Sequence, residues 1–552
     1  MTEATLQPME THQSWRARLP WVAAGIAAAI CVMPHISVLI AAVMGSTETL
    51  QSLAESVLGR YTRTTALLLL FVVAFSTIIG TTTAWLVTTT EFRGRRLLEI
   101  ALVLPLAFPA YVLAYAYTHV LDHPGIVQST LRSVMGWGPR DYWFPEVRSL
   151  GGAVVMLTLV LYPYVYLLAR AAFASQSAST FYAAQSLGQS RLGAFWRVSL
   201  PMARPAIASG AMLVGMETIA DFGTVSYFGV QTFAVGIYSS WISFADRAAA
   251  AQLSLALLTF ALLLAILERI NRGEARYAFG RKFEHMPRVT LRGRRGVLAF
   301  LVCFLPAFLG CFLPVIMLAD MAVGSGQDLL SPRYLHFLRN SVILGVCAAV
   351  ITVSVAILFG SLARNTKSVF ATIALYIGRM GYAVPGGVIA VGLLVPFAYF
   401  DNTLDAFMRE RFDISTGLLF TGSIWLLVCA YMIRFLAAAI GAYEGGAAII
   451  NPNMDAAARV LGQSEWGLVR RVHFPLLRPS LLTALLIVFV DVMKELPATL
   501  IMRPFNFDTL AVQAYRLASD ERLEGAGVPS LVIVAVGLLP VILLCRTMRR
   551  DR

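Results

Sequence analysis

Residues 182–201 read Tyr182-Ala183-Ala184, three residues, Gly188, nine residues, then Val198-Ser199-Leu200-Pro201. Residues 456–475 read Ala456-Ala457-Ala458, three residues, Gly462, nine residues, then Val472-His473-Phe474-Pro475. Gly188 and Gly462 stand 274 positions apart (462 − 188), and so do Pro201 and Pro475 and the Arg204-Pro205 and Arg478-Pro479 pairs. A repeat without a gap across 20 residues sets the fold as two copies of one unit. Within each copy, small alanines let a short helix approach a partner surface closely. A glycine ends or turns that helix. The proline then marks the start of the next one. Two ordinary amphipathic loop helices are the plain alternative. The shared spacing and the duplication argue against it.

The chain has 552 residues, 58% of them hydrophobic and 14% charged, with a mean hydropathy of +0.71. Soluble domains run near 45–50% apolar and about 25% charged, so the composition points to a membrane protein. Twelve apolar runs of roughly bilayer-crossing length follow. In the first half they lie at about 21–44, 64–88, 97–120, 151–170, 206–230 and 249–267, and in the second at about 297–319, 340–362, 375–400, 417–438, 480–502 and 528–545. Continuous runs, unlike alternating ones, select helices over a barrel. The predicted fold is an all-α polytopic membrane protein with 12 transmembrane helices in two homologous six-helix halves. The organisation is a 1–20 cytoplasmic segment, a first half over 21–267, a basic linker over 268–296, a second half over 297–545 and a 546–552 tail.

An even count puts both termini on one side. The linker carries Arg269, Arg272, Arg276, Arg281, Lys282, Arg288, Arg292, Arg294 and Arg295. The positive-inside rule makes it, and both termini, cytoplasmic. The first run is too long for a signal-peptide core and reads as an uncleaved span, with Arg16 and Arg18 inside. A net charge of +13 would suggest nucleic acid in a soluble chain. Here it reads as basic cytoplasmic loops, and no nucleic-acid partner is expected. The six cysteines lie in apolar runs without a C-x-x-C pattern, so no disulfide or metal framework is expected.

The pattern A-A-x3-G-x9-[IV]-x-[LF]-P resembles the EAA motif of binding-protein-dependent ABC importer permeases, over nearly the whole chain as two fused halves. The resemblance implies coupling helices, at about 180–205 and 454–479, that dock on ATP-binding subunits. Its residues here are Tyr182, Ala183, Ala184, Gly188, Leu200, Pro201, Asp455, Ala456, Ala457, Ala458, Gly462, Phe474 and Pro475. The usual glutamate is Tyr182 in one copy and Ala456 in the other, with Asp455 one residue earlier. A phosphate-binding Gly-Lys-Ser/Thr is missing, because the three lysines follow Arg281, Thr366 and Met493. The resemblance therefore implies a separate ATPase, two copies of which fit the two loops, and a periplasmic binding protein. The chain itself is expected to be no enzyme, to carry no cofactor and to lie in the bacterial inner membrane.

The helix after each loop carries two acids: Glu217 and Asp221, then Asp491 and Glu495, again 274 apart (491 − 217 and 495 − 221). Spacing of i, i+4 puts each pair on one helical face. Carboxylates inside a bilayer cost about 2.5–3.5 kcal/mol each at its centre. They need a wet path, a partner charge or the membrane surface. Lys494 and Arg503 are candidate partners. One reading has the four converge and line a cation path, because hard oxygen ligands suit hard cations. The other has them form structural pairs near the outer surface. No metal site is assigned. Around the acids stand Ala220-Asp221-Phe222-Gly223-Thr224-Val225 and Lys494-Glu495-Leu496-Pro497-Ala498-Thr499, and downstream Thr232-Phe233-Ala234-Val235 and Thr509-Leu510-Ala511-Val512. This set is similar to the ferric-iron importer permeases, which implies an iron cargo. Thiamine or another small solute is the alternative within the family, and an ion-coupled secondary transporter the alternative outside it.

Pro109 in the third run and Pro385 in the ninth are 276 apart (385 − 109). Matched broken helices can mark a pathway, and a packing kink is the plain alternative. Tyr111, Tyr115 and Tyr117 read as packing residues. The loop Leu121–Leu150, with Trp137 and Trp143, is a candidate contact for the binding protein.

Overall fold

A computed structural model describes residues 15–45, 47–176, 182, 184–272, 288–328, 331–366, 368–447, 450, 452–463 and 465–550. Each of the twelve expected runs is met by a helix. In the first half these are α1 (Trp15–Met44), α2 (Gln51–Thr89), α3 (Arg95–Ala107 continued by Ala110–Met135), α4 (Leu150–Ala174), α5 (Leu200–Ala220) and α6 (Arg247–Arg272). In the second they are α7 (Gly293–Gly324), α8 (Pro332–Asn365), α9 (Val369–Met380 continued by Gly386–Phe412), α10 (Ile424–Ala447), α11 (Phe474–Met493) and α12 (Leu523–Arg550). Among the described residues the strands amount to one parallel two-residue bridge, Thr90–Glu91 with Val289–Thr290, which fastens the end of the linker to the end of α2.

Four of the runs are broken rather than continuous. The third bends by 96° between Ala107 and Ala110. A proline pushes the residue before it out of the α region, and Phe108 is extended (φ −89°, ψ 130°) ahead of Pro109. Val384 does the same ahead of Pro385 (φ −97°, ψ 120°). The fifth run, expected over 206–230, ends at Ala220 and resumes as the short helix Gly223–Tyr227. The eleventh, expected over 480–502, ends at Met493 and resumes at Pro497–Met502. The breaks in the fifth and eleventh runs fall at the acids.

Inside each half the second, fourth and fifth helices form the central bundle: α2, α4 and α5 in one, α8, α10 and α11 in the other. The first helix of each half crosses over. α1 packs on α9 of the second half as well as on its own α6, and α7 packs on α3 of the first half as well as on its own α12. The two cores are consequently mixed. One joins Ala24, Ala28 and Cys31 of α1 to Val388, Val391 and Leu436 of the second half, and the other joins Leu318 and Met321 of α7 to Leu113 and Ala116 of the first. Outward faces carry exposed Leu70, Ile78, Leu298 and Leu482, as a lipid-facing surface requires.

Helices in lipid gain by close contact through small residues, and Gly392 of α9 shows how close. A Cβ there would lie 2.6 Å from the Pro34 Cα and carbonyl oxygen of α1. Overpacking of this kind costs about 1–3 kcal/mol. We expect Gly392→Val to lower the melting temperature of the purified protein in detergent, while Gly441→Val, where a Cβ meets nothing within 4 Å, leaves it unchanged.

Candidate functional site

Both glycine turns share one geometry. Gly188 has φ +83° and Gly462 φ +78°. Gln189 N–H donates to the Ala184 carbonyl and Gln463 N–H to the Ala458 carbonyl, at 3.1 and 3.0 Å. In the first copy Gly188 N–H also reaches Gln185 O at 2.9 Å. This is the Schellman closure, in which a left-handed residue lets two amides turn back onto the last turn. Ala184 is buried beside Ala194, Trp85 and Val198. Tyr182 and Leu187 are exposed, as are Ala456, Ala457, Val460 and Leu461 in the second copy. Ala183 lies outside the described residues.

Pro201 and Pro475 do not begin new helices. Helical backbone starts at Arg191, passes through a five-residue π turn, Phe195–Ser199, and continues into α5 at Leu200. The second copy repeats it with Glu465–Leu468, Val469–His473 and α11 from Phe474. A proline has no N–H for the i−4 carbonyl. The wider turn changes the register just upstream, where Leu200 N–H bonds Phe195 O, five residues back.

Asp455 has a role that spacing alone did not reveal. Its carboxylate accepts from Arg364 Nε at 3.1 Å and contacts His473 Nε2 at 2.9 Å. Arg364, at the end of α8, also donates to Ala447 O and Ile450 O at 2.6 and 2.9 Å. One carboxylate thus ties the second coupling helix (Pro452–Val460) to α8 and to the root of α11. Burial pushes this carboxyl up, but the bonds from His473 and Arg364 outweigh it and hold it below the usual range.

The four acids face one cavity of about 110 Å³, together with Tyr111, Tyr164, Tyr382, Arg434 and Lys494. The ends of α5 and α11, the breaks of α3 and α9, and the middles of α4 and α10 bound it. Glu217 accepts from the Tyr382 hydroxyl at 2.6 Å. Asp491 pairs with Lys494 at 2.9 Å. Asp221 and Glu495 are helix caps. Asp221 accepts from Thr224 N and Val225 N at 3.1 Å and from Thr224 Oγ1 at 3.0 Å. Glu495 accepts from Ala498 N, Thr499 N and Thr499 Oγ1 at 3.0, 3.1 and 2.8 Å. A carboxylate at a helix start satisfies amides that have no partner inside the helix. The breaks after Ala220 and Met493 are stabilised in the same way in both halves.

The expected partner Arg503 turns elsewhere, to Asp508. The cation beside Glu495 is Arg434 of α10, with Nη1 3.8 Å from Oε1. A lone arginine inside an apolar run is itself a functional signal, and sequence reasoning passed over it in favour of the acids. Tyr382 and Tyr164 had no sequence signal. A larger cavity of about 490 Å³ shares Leu106, Tyr164, Tyr382, Asp491 and Lys494 with the first and extends along α11 to Ile487, toward the coupling-loop end. Among the described residues no three His, Cys, Asp or Glu side chains gather closely enough to hold a metal ion. The four carboxylates are spread along the chamber wall.

The family described as "Binding-protein-dependent transport system inner membrane component" matches residues 76–273 and again residues 353–550. The chain belongs to that family. This permease is a multi-pass inner-membrane component of a transport system, built as a fused pair of family domains. An Fe(3+)-transport system permease protein of Haemophilus influenzae is 25% identical over 521 residues, covering 93% of this chain and 95% of its own. A ferric transport system permease protein of Actinobacillus pleuropneumoniae is 23% identical, covering 86% and 69%. A probable molybdenum ABC transporter permease protein of Haloferax volcanii is 31% identical over 199 residues, covering 35% and 69%.

Two outcomes test the permease's loop geometry. Gly188→Ala and Gly462→Ala each force a side chain into left-handed backbone, at about 1–2 kcal/mol. Each variant should insert normally and lose transport; unchanged transport would deny the turns a role. For Asp455, a carboxyl held low in the fold stabilises above its unfolded pKa and loses that contribution as pH falls through the folded value. Asp455→Asn should therefore lower the melting temperature at neutral pH, and the gap should close in acid below the carboxylate range.

Proposed function

We propose that this permease imports a hard cation, ferric iron, delivered by a periplasmic binding protein. A separate ATPase, present as two copies of one subunit, docks on the two coupling helices and drives the cycle. Both termini and the basic linker face the cytoplasm with those helices. The observation that carries this reading is the convergence of Glu217, Asp221, Asp491 and Glu495 on one chamber. Carboxylate oxygens are the ligands a hard cation prefers, and spreading them along a wall favours passage over retention. The names of the two ferric relatives agree with it.

In mechanism, closure of the ATPase dimer moves the coupling helices. The exposed Tyr182, Leu187, Val460 and Leu461 supply apolar contact to it. In the second half Asp455 passes the movement to α8 and α11. α5 and α11 end at the chamber acids, so displacement of either coupling helix alters the chamber. On the face opposite the coupling loops, the helix Ile126–Met135 and the exposed Trp143 form the surface offered to the binding protein. There Arg148 holds Glu521 through two bonds of 2.6 and 2.8 Å and so joins the halves.

Uptake of radiolabelled ferric iron by iron-limited cells should require the chain and collapse on ATP depletion. Unchanged uptake on deletion would discard iron and move thiamine forward. Glu217→Gln combined with Asp491→Asn should slow iron uptake at least tenfold with the ATPase still bound. Unaffected uptake would remove the two side chains from the path.

A further inference from the structure

A cation in a chamber meant for cations needs a reason. Arg434 lies midway along α10 with its side chain 12% exposed, and its Nη1, 3.8 Å from Glu495 Oε1, has no hydrogen-bond partner among the described residues. The fold makes room for this pair. At the α9 break, a Cβ on Gly386 would lie 2.5 Å from Arg434 Nη1 and 2.7 Å from Glu495 Oε1. Glu495 already receives three donors from Ala498 and Thr499, so the guanidinium is not required to satisfy it. The matching position in the first half, 274 earlier (434 − 274), is Val160. The guanidinium belongs to one half alone.

We propose that Arg434 is a tethered counter-cation that sets a charge threshold for the chamber, admitting multivalent cations and excluding monovalent ones. This rests on the reading of the chamber as a cation path. Attraction to a fixed carboxylate scales with ionic charge. A monovalent ion that displaces the guanidinium from Glu495 exchanges one unit of attraction for another and gains nothing, while it must still shed water. A trivalent ion gains three units for the one it displaces. Potassium and sodium, far more abundant than any metal cargo, are thereby kept from riding the ATP cycle. The long side chain can withdraw as a highly charged ion arrives, because its Nη1 has no hydrogen bond to break among the described residues.

The test uses the full permease with its ATPase and binding protein in proteoliposomes, reading ATP-driven uptake of 55Fe3+ and 86Rb+ side by side. Wild type should import 55Fe3+ and exclude 86Rb+. Arg434→Gln should raise 86Rb+ uptake at least tenfold over wild type, and Arg434→Lys should restore exclusion. Gly386→Ala, which crowds the pair without removing either charge, should give an intermediate rise, and it decides the matter if Arg434→Gln fails to assemble. Variants that assemble and still exclude 86Rb+ would overturn the proposal. Equal 86Rb+ uptake by the Lys and Gln variants would overturn charge as its cause. Wild-type vesicles that take up no 55Fe3+ would overturn the cation-path reading beneath it, in a separate isotope channel.

Discussion

A chain inside a bilayer can leave helical geometry only where its freed amides find partners. In this permease Asp221 and Glu495 meet that requirement, each accepting two backbone amides and a threonine hydroxyl. The rest of the site follows. With α5 and α11 stopped at matching positions of the repeat, the prolines at 109 and 385 open α3 and α9 beside them, and four interrupted helices leave a polar space between them. The acids build the chamber before they can serve any cargo. Glu217 and Asp491, one turn earlier, are free of capping and take side-chain partners instead, Tyr382 and Lys494.

Around this symmetric frame the two halves differ in ways that matter. Asp455 and His473 brace the second coupling helix, whereas the positions 274 residues earlier are Phe181 and Ser199, which hold neither a carboxylate nor an imidazole. Arg170 binds Glu99 at the end of α4, while its repeat mate Glu444 binds Arg379 at the end of α10, so the same tie is made with its charges exchanged. Under the proposed function, the ATPase would push on two levers that are braced by different residues.

Much of this was legible in the residues because the repeat is local. Glycine spacing, twelve apolar runs and the matched acids are patterns of one dimension. The broken helices were half legible. Pro109 and Pro385 were visible, but the stops after Ala220 and Met493 were not, because apolar sequence continues past both and the signal was an acid acting as a cap. Pro201 and Pro475 misled for a related reason. A proline normally starts a helix, yet here a π turn absorbs it within a continuous one. Arg434 and Tyr382 come from helices remote in sequence from the acids they meet. Asp455 could be seen, but its partners Arg364 and His473 required the fold.

The crossing of α1 and α7 has a consequence for biosynthesis. α1 leaves the ribosome well before its partner, because the glycine face of α9 on which it rests begins at Gly386, roughly 340 residues after α1 ends at Met44. At about 5–20 residues per second, α1 waits on the order of 20–70 s in the bilayer without its final neighbour. The first half cannot finish folding before the ribosome has delivered the first three helices of the second. Joining both halves in one polypeptide keeps the late partner within tethered reach during that interval, so α1 need not be claimed by a foreign helix.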